Sequence, residues 1–339
     1  MLKEAPARKK AVGFQDSRLP CEVPCAVVHC DTLFFTKGKE GNVEEVGETD
    51  RYHGMGITML DPKSHDVEFY PVRSRSTEEF KHALIEFCGS KDKCRTLVSD
   101  NAPEFVRGCK DFDMAHFLCT PGRSTSHAAA ERANRTVLES LRGPLAQSGL
   151  SLTWAARAAQ HSLMVRRCLK HNALNDSIYR VRSPLAPIPP IWPFGAAVDF
   201  KPTIEGSATH PKAGSRGLEG LLVGYHTNPG GSWSGDFLVV EEAAFRRSAG
   251  SKKIRVYRTK TVSWAGDSRP RFPIFEAVEQ QKLLQLAQSA PQGDEAVVED
   301  AEPAQVSQSE DDHQRLLDIF EEFTAPVGQE PSQSVSDPS

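Results

Sequence analysis

Apolar and polar positions along the chain outline its elements before any other property is considered. Residues 25–35 (CAVVHCDTLFF) predict a strand, and a charged, turn-rich loop follows over 36–53. Two further strands are predicted at 56–60 and 66–72, joined by the turn residues Asp61-Pro62-Lys63-Ser64. Ser76 with Glu79 three positions on has the pattern of a capping box, and Phe80, Ala83, Leu84 and Phe87 then recur at helical spacing. A helix over 77–88 follows from both signals. Short strands at 95–99 and 117–119 come next, with a helical stretch between them. From His127 the period is helical again, through Ala130, Asn134, Val137, Leu138, Leu141 and Leu145, and Gly143-Pro144 weakens its end. A second helix around 152–169 is led by Trp154.

The proline-rich stretch 183–193 (SPLAPIPPIWP) must be extended and reads as a linker. Beyond it, 220–225 (GLLVGY) and 236–240 (DFLVV) predict a hairpin, and 253–262 (KIRVYRTKTV) a further strand. The order of elements describes an α/β layer with a mixed sheet, followed by a small β-rich module. The expected organisation is a basic linker at 1–20, a core at 21–182, a linker at 183–217, a β-rich module at 218–265 and an acidic disordered tail at 284–339.

Composition changes this picture only when charge is divided along the chain. The 339 residues are 39% hydrophobic and 25% charged, with a net charge of −4 that disfavours a nucleic-acid partner if taken alone. From 284 to 339, however, 13 acidic residues face one basic one, a net of −12, which leaves +8 on the preceding body. A basic body suits a polyanion, and the acidic, Gln/Ser/Pro-rich end reads as a solvated tail. Within the tail, Leu316, Leu317, Phe320 and Phe323 could line a transient helix. No apolar run is long enough for a membrane span. The basic start (Lys3, Arg8, Lys9, Lys10) lacks the apolar stretch of a signal peptide. Eight cysteines without a secretory signal point to a reducing compartment. Cys21, Cys25, His29 and Cys30 cluster, but strand alternation turns His29 and Cys30 to opposite faces, which favours structural cysteines over zinc.

Three acidic residues fall at element ends: Asp31 in the first strand, Asp100 after the fourth, and Glu131 at the start of the long helix. Phosphoryl transfer of the two-metal kind uses such carboxylates to hold two divalent ions, and Mg²⁺ takes oxygen ligands. The residues around them sharpen this reading. His29-Cys30-Asp31, Ser99-Asp100-Asn101-Ala102-Pro103-Glu104-Phe105 and Ala130-Glu131-Arg132-Ala133-Asn134-Arg135-Thr136 resemble the integrase of copia-type LTR retrotransposons, with its D,D,E triad on an RNase H-like fold. The turn Thr58–Ser64, Trp154 and its helix, Trp192-Pro193-Phe194-Gly195 and Gly220–Tyr225 extend the resemblance over about residues 3–262.

The resemblance implies a five-stranded RNase H-like sheet flanked by helices, and metal-dependent DNA integration by 3′-end processing and strand transfer. It implies two Mg²⁺ or Mn²⁺ ions, with Asp31 bridging both, Asp100 completing one site and Glu131 the other. DNA, as element ends and target, would be the partner, with homo-oligomerisation, action in the nucleus and otherwise a cytoplasmic location. On the helix of Glu131, Asn134, Arg135, Arg142 and Arg132 are the implied DNA-binding residues. Helical geometry puts Arg135 and Arg142 within about 40° of Glu131, although Leu138 shares that face and a solvated helix surface is the competing explanation. The basic run 246–258 (RRSAGSKKIRVYR) is a candidate for phosphate contact, whereas Trp154, Trp192 and Trp233 are expected in the core or at an interface.

The sequence also departs from the family. Asp100 and Glu131 have 30 residues between them, fewer than the family carries, with the deficit between Phe105 and Met114. Ala102 replaces the glycine of the turn, and residues 125–130 lack an Asn-Gly pair. The family's His/Cys zinc module is absent ahead of residues 3–10, which look like the end of its basic stretch, so the chain is expected to be a piece of a polyprotein. The shortened Asp100–Glu131 segment supports a second function, a nucleic-acid-binding remnant without catalysis. A third, an RNase H-like nuclease of another type, is opposed by the A-E-R-x-N-R-T helix and the post-core motifs, which resemble integrases.

Overall fold

A computed structural model of the chain describes residues 23–35, 54–119, 124–202, 217–247, 254–264 and 269–289. The basic start, Cys21, the 36–53 loop, residues 248–253 of the basic run and the Leu316–Phe323 segment lie outside the described residues.

Three strands, β1 (Val27–Phe34), β2 (Met55–Asp61) and β3 (Asp66–Pro71), form an antiparallel meander. The β2–β3 turn closes on Asp61, whose carboxylate accepts from Lys63 N at 3.1 Å, Ser64 N at 3.3 Å and Ser64 Oγ at 2.5 Å. Helix α1 (Thr77–Cys88) starts where the capping box places it, Ser76 Oγ accepting from Glu79 N, and stops at Gly89 in the left-handed conformation. The chain then adds β4 (Thr96–Ser99), α2 (Pro103–Asp111) and β5 (Ala115–Leu118). β4 runs parallel to β1 and β5 parallel to β4, giving a five-stranded mixed sheet ordered β3-β2-β1-β4-β5. This is the RNase H-like sheet expected from the sequence.

Strand alternation sends Val28, Cys30, Ile57, Met59 and Leu97 to one face, where Phe80, Leu84, Phe87 and Phe105 of α1 and α2 close a core. Gly108 admits the Phe80 ring to α2, since a Cβ there would meet it at 2.3 Å. The opposite face packs Leu33, Val67 and Phe69 against α3 (Ser124–Ser148) and α4 (Ala155–Cys168). α3 carries the expected helical pattern through Gly143-Pro144, which was expected to weaken its end, to Ser148. Val137, Leu141 and Leu145 are all buried on one stripe, and their packing outweighs the backbone hydrogen bond that proline cannot donate. α3 ends at Gly149, at φ +70°, where an added Cβ would lie 2.6 Å from the Phe275 backbone.

After the short strands β6 (Lys170–His171) and β7 (Asp176–Ser177) and helix α5 (Ile178–Arg182), the proline-rich stretch is an extended strap. Tyr179 Oη donates to Pro187 O and Tyr225 Oη to Pro190 O, each at 2.9 Å. The segment expected as linker also contains β8 (Ala197–Phe200), which pairs with β9 (Leu218–Thr227). With β10 (Trp233–Glu241), β11 (Val256–Thr259) and β12 (Val262–Trp264), these form a second five-stranded sheet ordered β11-β10-β9-β8-β12. The predicted strand at 253–262 is therefore two strands on opposite edges of this sheet. Leu221, Val223, Leu238 and Val240 join the same core as α3, α4 and β3, so the second sheet is packed onto the first layer. A short helix, α6 (Glu242–Arg247), follows β10, and α7 (Pro273–Ser289) carries helix into the region expected as tail. Both sheets belong to one compact unit, Met1–Ala287; of the second unit, Gln288–Ser339, only the last residues of α7 are described. No helix among the described residues is long and apolar enough to cross a membrane.

Candidate active site

Register brings the two aspartates together. His29 pairs with Val98 across parallel strands, so two residues further on Asp31 comes level with Asp100. Adjacent strands lie about 4.8 Å apart and level residues share a face, which places both side chains at the α3 side of the sheet. Both are half-buried. Asp31 Oδ1 accepts from Thr32 N and Oδ2 from Asn134 Nδ2, each at 2.8 Å. Asp100 Oδ1 accepts from Ala102 N at 3.3 Å, a local turn that hands the chain to α2.

Ala102 has φ −67° and ψ 135°, and Pro103 follows at the first helical position. Any residue adopts that conformation, so the turn does not need the family's glycine. Glu104 of the same motif is buried and pairs with Arg75 at 2.7 Å, tying α2 to the segment before α1. Phe105 packs edge-on against Phe80. The shortened stretch after Phe105 closes through Asp113 in the left-handed conformation.

On α3, Asn134 is the residue that reaches the sheet, and Glu131 stands one turn before it, exposed. Arg135 and Arg142 are exposed on the same side as Glu131. Arg132 is turned about 100° from Glu131, and the structure does not bring it to this group. One N–H of the Asn134 amide is used within the chain, donated to the Asp31 carboxylate. Its spacing from Glu131 in the A-E-R-x-N-R-T segment was the available signal.

The donor set is all oxygen. The two aspartates are oriented by N–H donors, and two buried oxygens beside Asp31, Thr58 Oγ1 and Asn134 Oδ1, have no hydrogen-bond partner. Such a set suits a hard, hydrated divalent cation. Among the described residues, no three His, Cys, Asp or Glu groups are preassembled around one point. Glu131, exposed on α3, is not drawn into such a group with the two aspartates.

Behind Asp100, on the opposite face of the sheet, Ser99 is fully buried, with Oγ 3.0 Å from Asp100 O and 2.8 Å from His116 Nε2. Burial holds the His116 pKa below the ordinary imidazole value, against the opposing pull of Asp100. Neither residue stands out in the sequence.

His29 and Cys30 take opposite faces of β1, and Cys25 and Cys30 are buried with the α1 core. In the basic run, Arg246 pairs with Glu242 at 2.7 Å, Arg247 with Glu241 at 3.4 Å and Arg258 with Asp236. Three of the candidate phosphate contacts thus already have carboxylate partners. Trp154 is buried, Trp192 stacks on Trp264 at 4.1 Å, and Trp233 Nε1 donates to Asp236 O.

No protein-family model and no curated protein matches the chain. Among solved structures it is similar to the catalytic core domain of BIV integrase, at 15% identity and a TM-score of 0.33 over 46% of this chain and 93% of that one. It is likewise similar to the HTLV-2 integrase catalytic core domain in complex with magnesium, at 16% identity, TM-score 0.34, and 47% and 97% of the two chains. A simian T-cell lymphotropic virus intasome in complex with the PP2A regulatory subunit B56 gamma matches at 17% identity, TM-score 0.36, over 73% and 81%.

Proposed function

We propose that the chain is a polynucleotidyl transferase of the integrase type, joining DNA 3′ ends to a target duplex, with Asp31, Asp100 and Glu131 as its acidic residues. The observation that carries this is the parallel β1–β4 register, which brings Asp31 within β1 level with Asp100 just past the end of β4, with Asn134 of the Glu131 helix bonded to Asp31. These carboxylates would hold Mg²⁺ or Mn²⁺, two ions by the family's pattern. Bound there, the ions would lower the charge barrier to in-line attack on a phosphodiester.

The chain's own residues do the positioning. Thr32 N and Asn134 Nδ2 fix the Asp31 carboxylate, and Ala102 N fixes that of Asp100. Arg135 and Arg142, exposed beside Glu131, are placed to meet phosphates of the bound strand. Action in the nucleus, on element ends and target DNA and as an oligomer, completes the proposal, with a copia-type retrotransposon as its source.

The test is a strand-transfer assay with a labelled duplex in Mg²⁺ or Mn²⁺. Joined product is expected from the wild type and none from Asp100→Asn; product from both would overturn the assignment of Asp100. A second reading, a DNA-binding remnant without catalysis, is favoured by exposed Glu131 and by the nine-residue α2. Duplex binding without joined product from the wild type would select it.

A further inference from the structure

Ser99 is the last residue of β4, and its hydroxyl is fully buried beneath the point where Asp100 leaves the sheet. A hydroxyl has one proton to give and two lone pairs to receive with. Ser99 Oγ donates to the Asp100 carbonyl at 3.0 Å, so the proton on the 2.8 Å contact with His116 must come from Nε2. Cys30 lies level with Ser99 on the neighbouring strand, on the same buried face.

The arrangement is directional. If His116 carried its proton on Nδ1, Nε2 would be an acceptor and would draw the Ser99 proton away from Asp100. With the proton on Nε2, imidazole donates to hydroxyl and hydroxyl donates to the Asp100 carbonyl. The Asp100 carboxylate is meanwhile held on the other side of the sheet by Ala102 N. Asp100 is thus gripped twice, through its side chain in front and through its peptide behind.

We propose that Ser99 and His116 are positioning residues that fix the Asp100 peptide, and through it the direction in which the Asp100 carboxylate presents its oxygens to a divalent cation. This rests on the functional reading above for the purpose of the site, but the positioning itself is measurable without DNA. His116 lies on β5, the outermost strand of its sheet, so the device joins the sheet edge to the centre of the site through one serine.

The test has two arms on the full chain: Mn²⁺ affinity by calorimetry without DNA, and strand transfer in Mn²⁺. Ser99→Ala and His116→Ala are each expected to weaken Mn²⁺ binding and to lower kcat by about 10-fold or more, the range of outer-shell partners, with KM for DNA unchanged. The double variant is expected to be no worse than either single one, because both break one relay. His116→Gln, whose side-chain N–H reaches the place of Nε2, is expected to restore both readouts. Additive losses, failure of His116→Gln to restore, or unchanged Mn²⁺ affinity in both alanine variants would overturn the proposal. Asp100→Asn separates the two claims. Mn²⁺ binding that needs Asp100 without strand transfer would refute the transferase reading while the binding arm still decides the positioning. Binding indifferent to Asp100 would overturn the positioning itself.

Discussion

Asp66 and Glu68 on the outer strand β3, and Asp31 and Asp100 at the sheet centre, are both close pairs of acidic side chains, yet the chain surrounds them in opposite ways. At the edge, Arg167 of α4 reaches Asp66 at 3.1 Å and Glu68 at 2.6 Å, and Arg182 of α5 reaches Asp66 at 2.5 Å. All four residues are almost wholly buried. Arg167 also donates to Gly231 O at 3.0 Å, so this cluster ties the first sheet to the β9–β10 turn. At the centre, Thr32 N and Asn134 Nδ2 donate to Asp31 and Ala102 N to Asp100, neutral N–H groups that orient each carboxylate. A folded chain tolerates buried carboxylates when guanidinium groups neutralise them. Half-buried carboxylates that accept from N–H dipoles keep oxygens oriented at the sheet centre. The edge pair is tied into the fold by guanidinium groups.

Breaking each pair should therefore produce opposite results. Asp31→Asn is expected to reduce strand transfer by on the order of 10³-fold, the several kcal/mol that metal-assisted charge stabilisation supplies, with thermal stability unchanged. Turnover and a melting curve on one preparation check both. Arg167→Met should do the reverse at the edge. It leaves two buried carboxylates with one guanidinium between them and should cost about 3–5 kcal/mol in denaturant unfolding.

Acid should expose another buried contact. His161, behind the strap, donates from Nε2 to Trp192 O at 2.8 Å and lies against Phe194 and Tyr225; burial lowers its pKa to about 4. In the unfolded chain it takes up a proton near pH 6.5, so its contribution is complete above that value. Between pH 6.5 and 4 the unfolded state gains the proton first, and stability falls by roughly 3 kcal/mol. Glu68, pushed up to about 7 by burial, works in the other direction over its own range. His161→Gln isolates the imidazole, because only the wild type should show this extra acid loss in urea unfolding at stepped pH. The smallest effect is expected from Asn134→Ala, which leaves the carboxylates in place but frees Asp31 to rotate. About 10-fold weaker Mn²⁺ binding should be seen by calorimetry.

The same comparison explains what could be read from the residues alone. The Ser76–Glu79 box, the Asp61–Ser64 turn and the GLLVGY strand are local signals, and each stands where local chemistry puts it. Asp31 and Asp100 were legible because their motifs are short and continuous. Asp66 and Glu68 alternate with Val67 and Phe69, the pattern of a strand with one wet face. Only the tertiary approach of Arg167 and Arg182, about a hundred residues away, buries them. β8 was hidden inside a proline-rich stretch because its four residues become a strand through β9 and β12. Pro144 does not end α3 because Leu141 and Leu145 on either side of it are core residues. That Asn134 bonds Asp31 was not legible, because a sequence shows which helix face a side chain occupies, not which atom it meets.

The most direct measurement is anomalous diffraction from crystals of the chain soaked in Mn²⁺. The expected result is density for bound Mn²⁺ between Asp31 and Asp100, with the Glu131 side chain turned toward it. Density elsewhere, or none at these carboxylates under saturating Mn²⁺, would contradict the assignment of this sheet centre as the catalytic site.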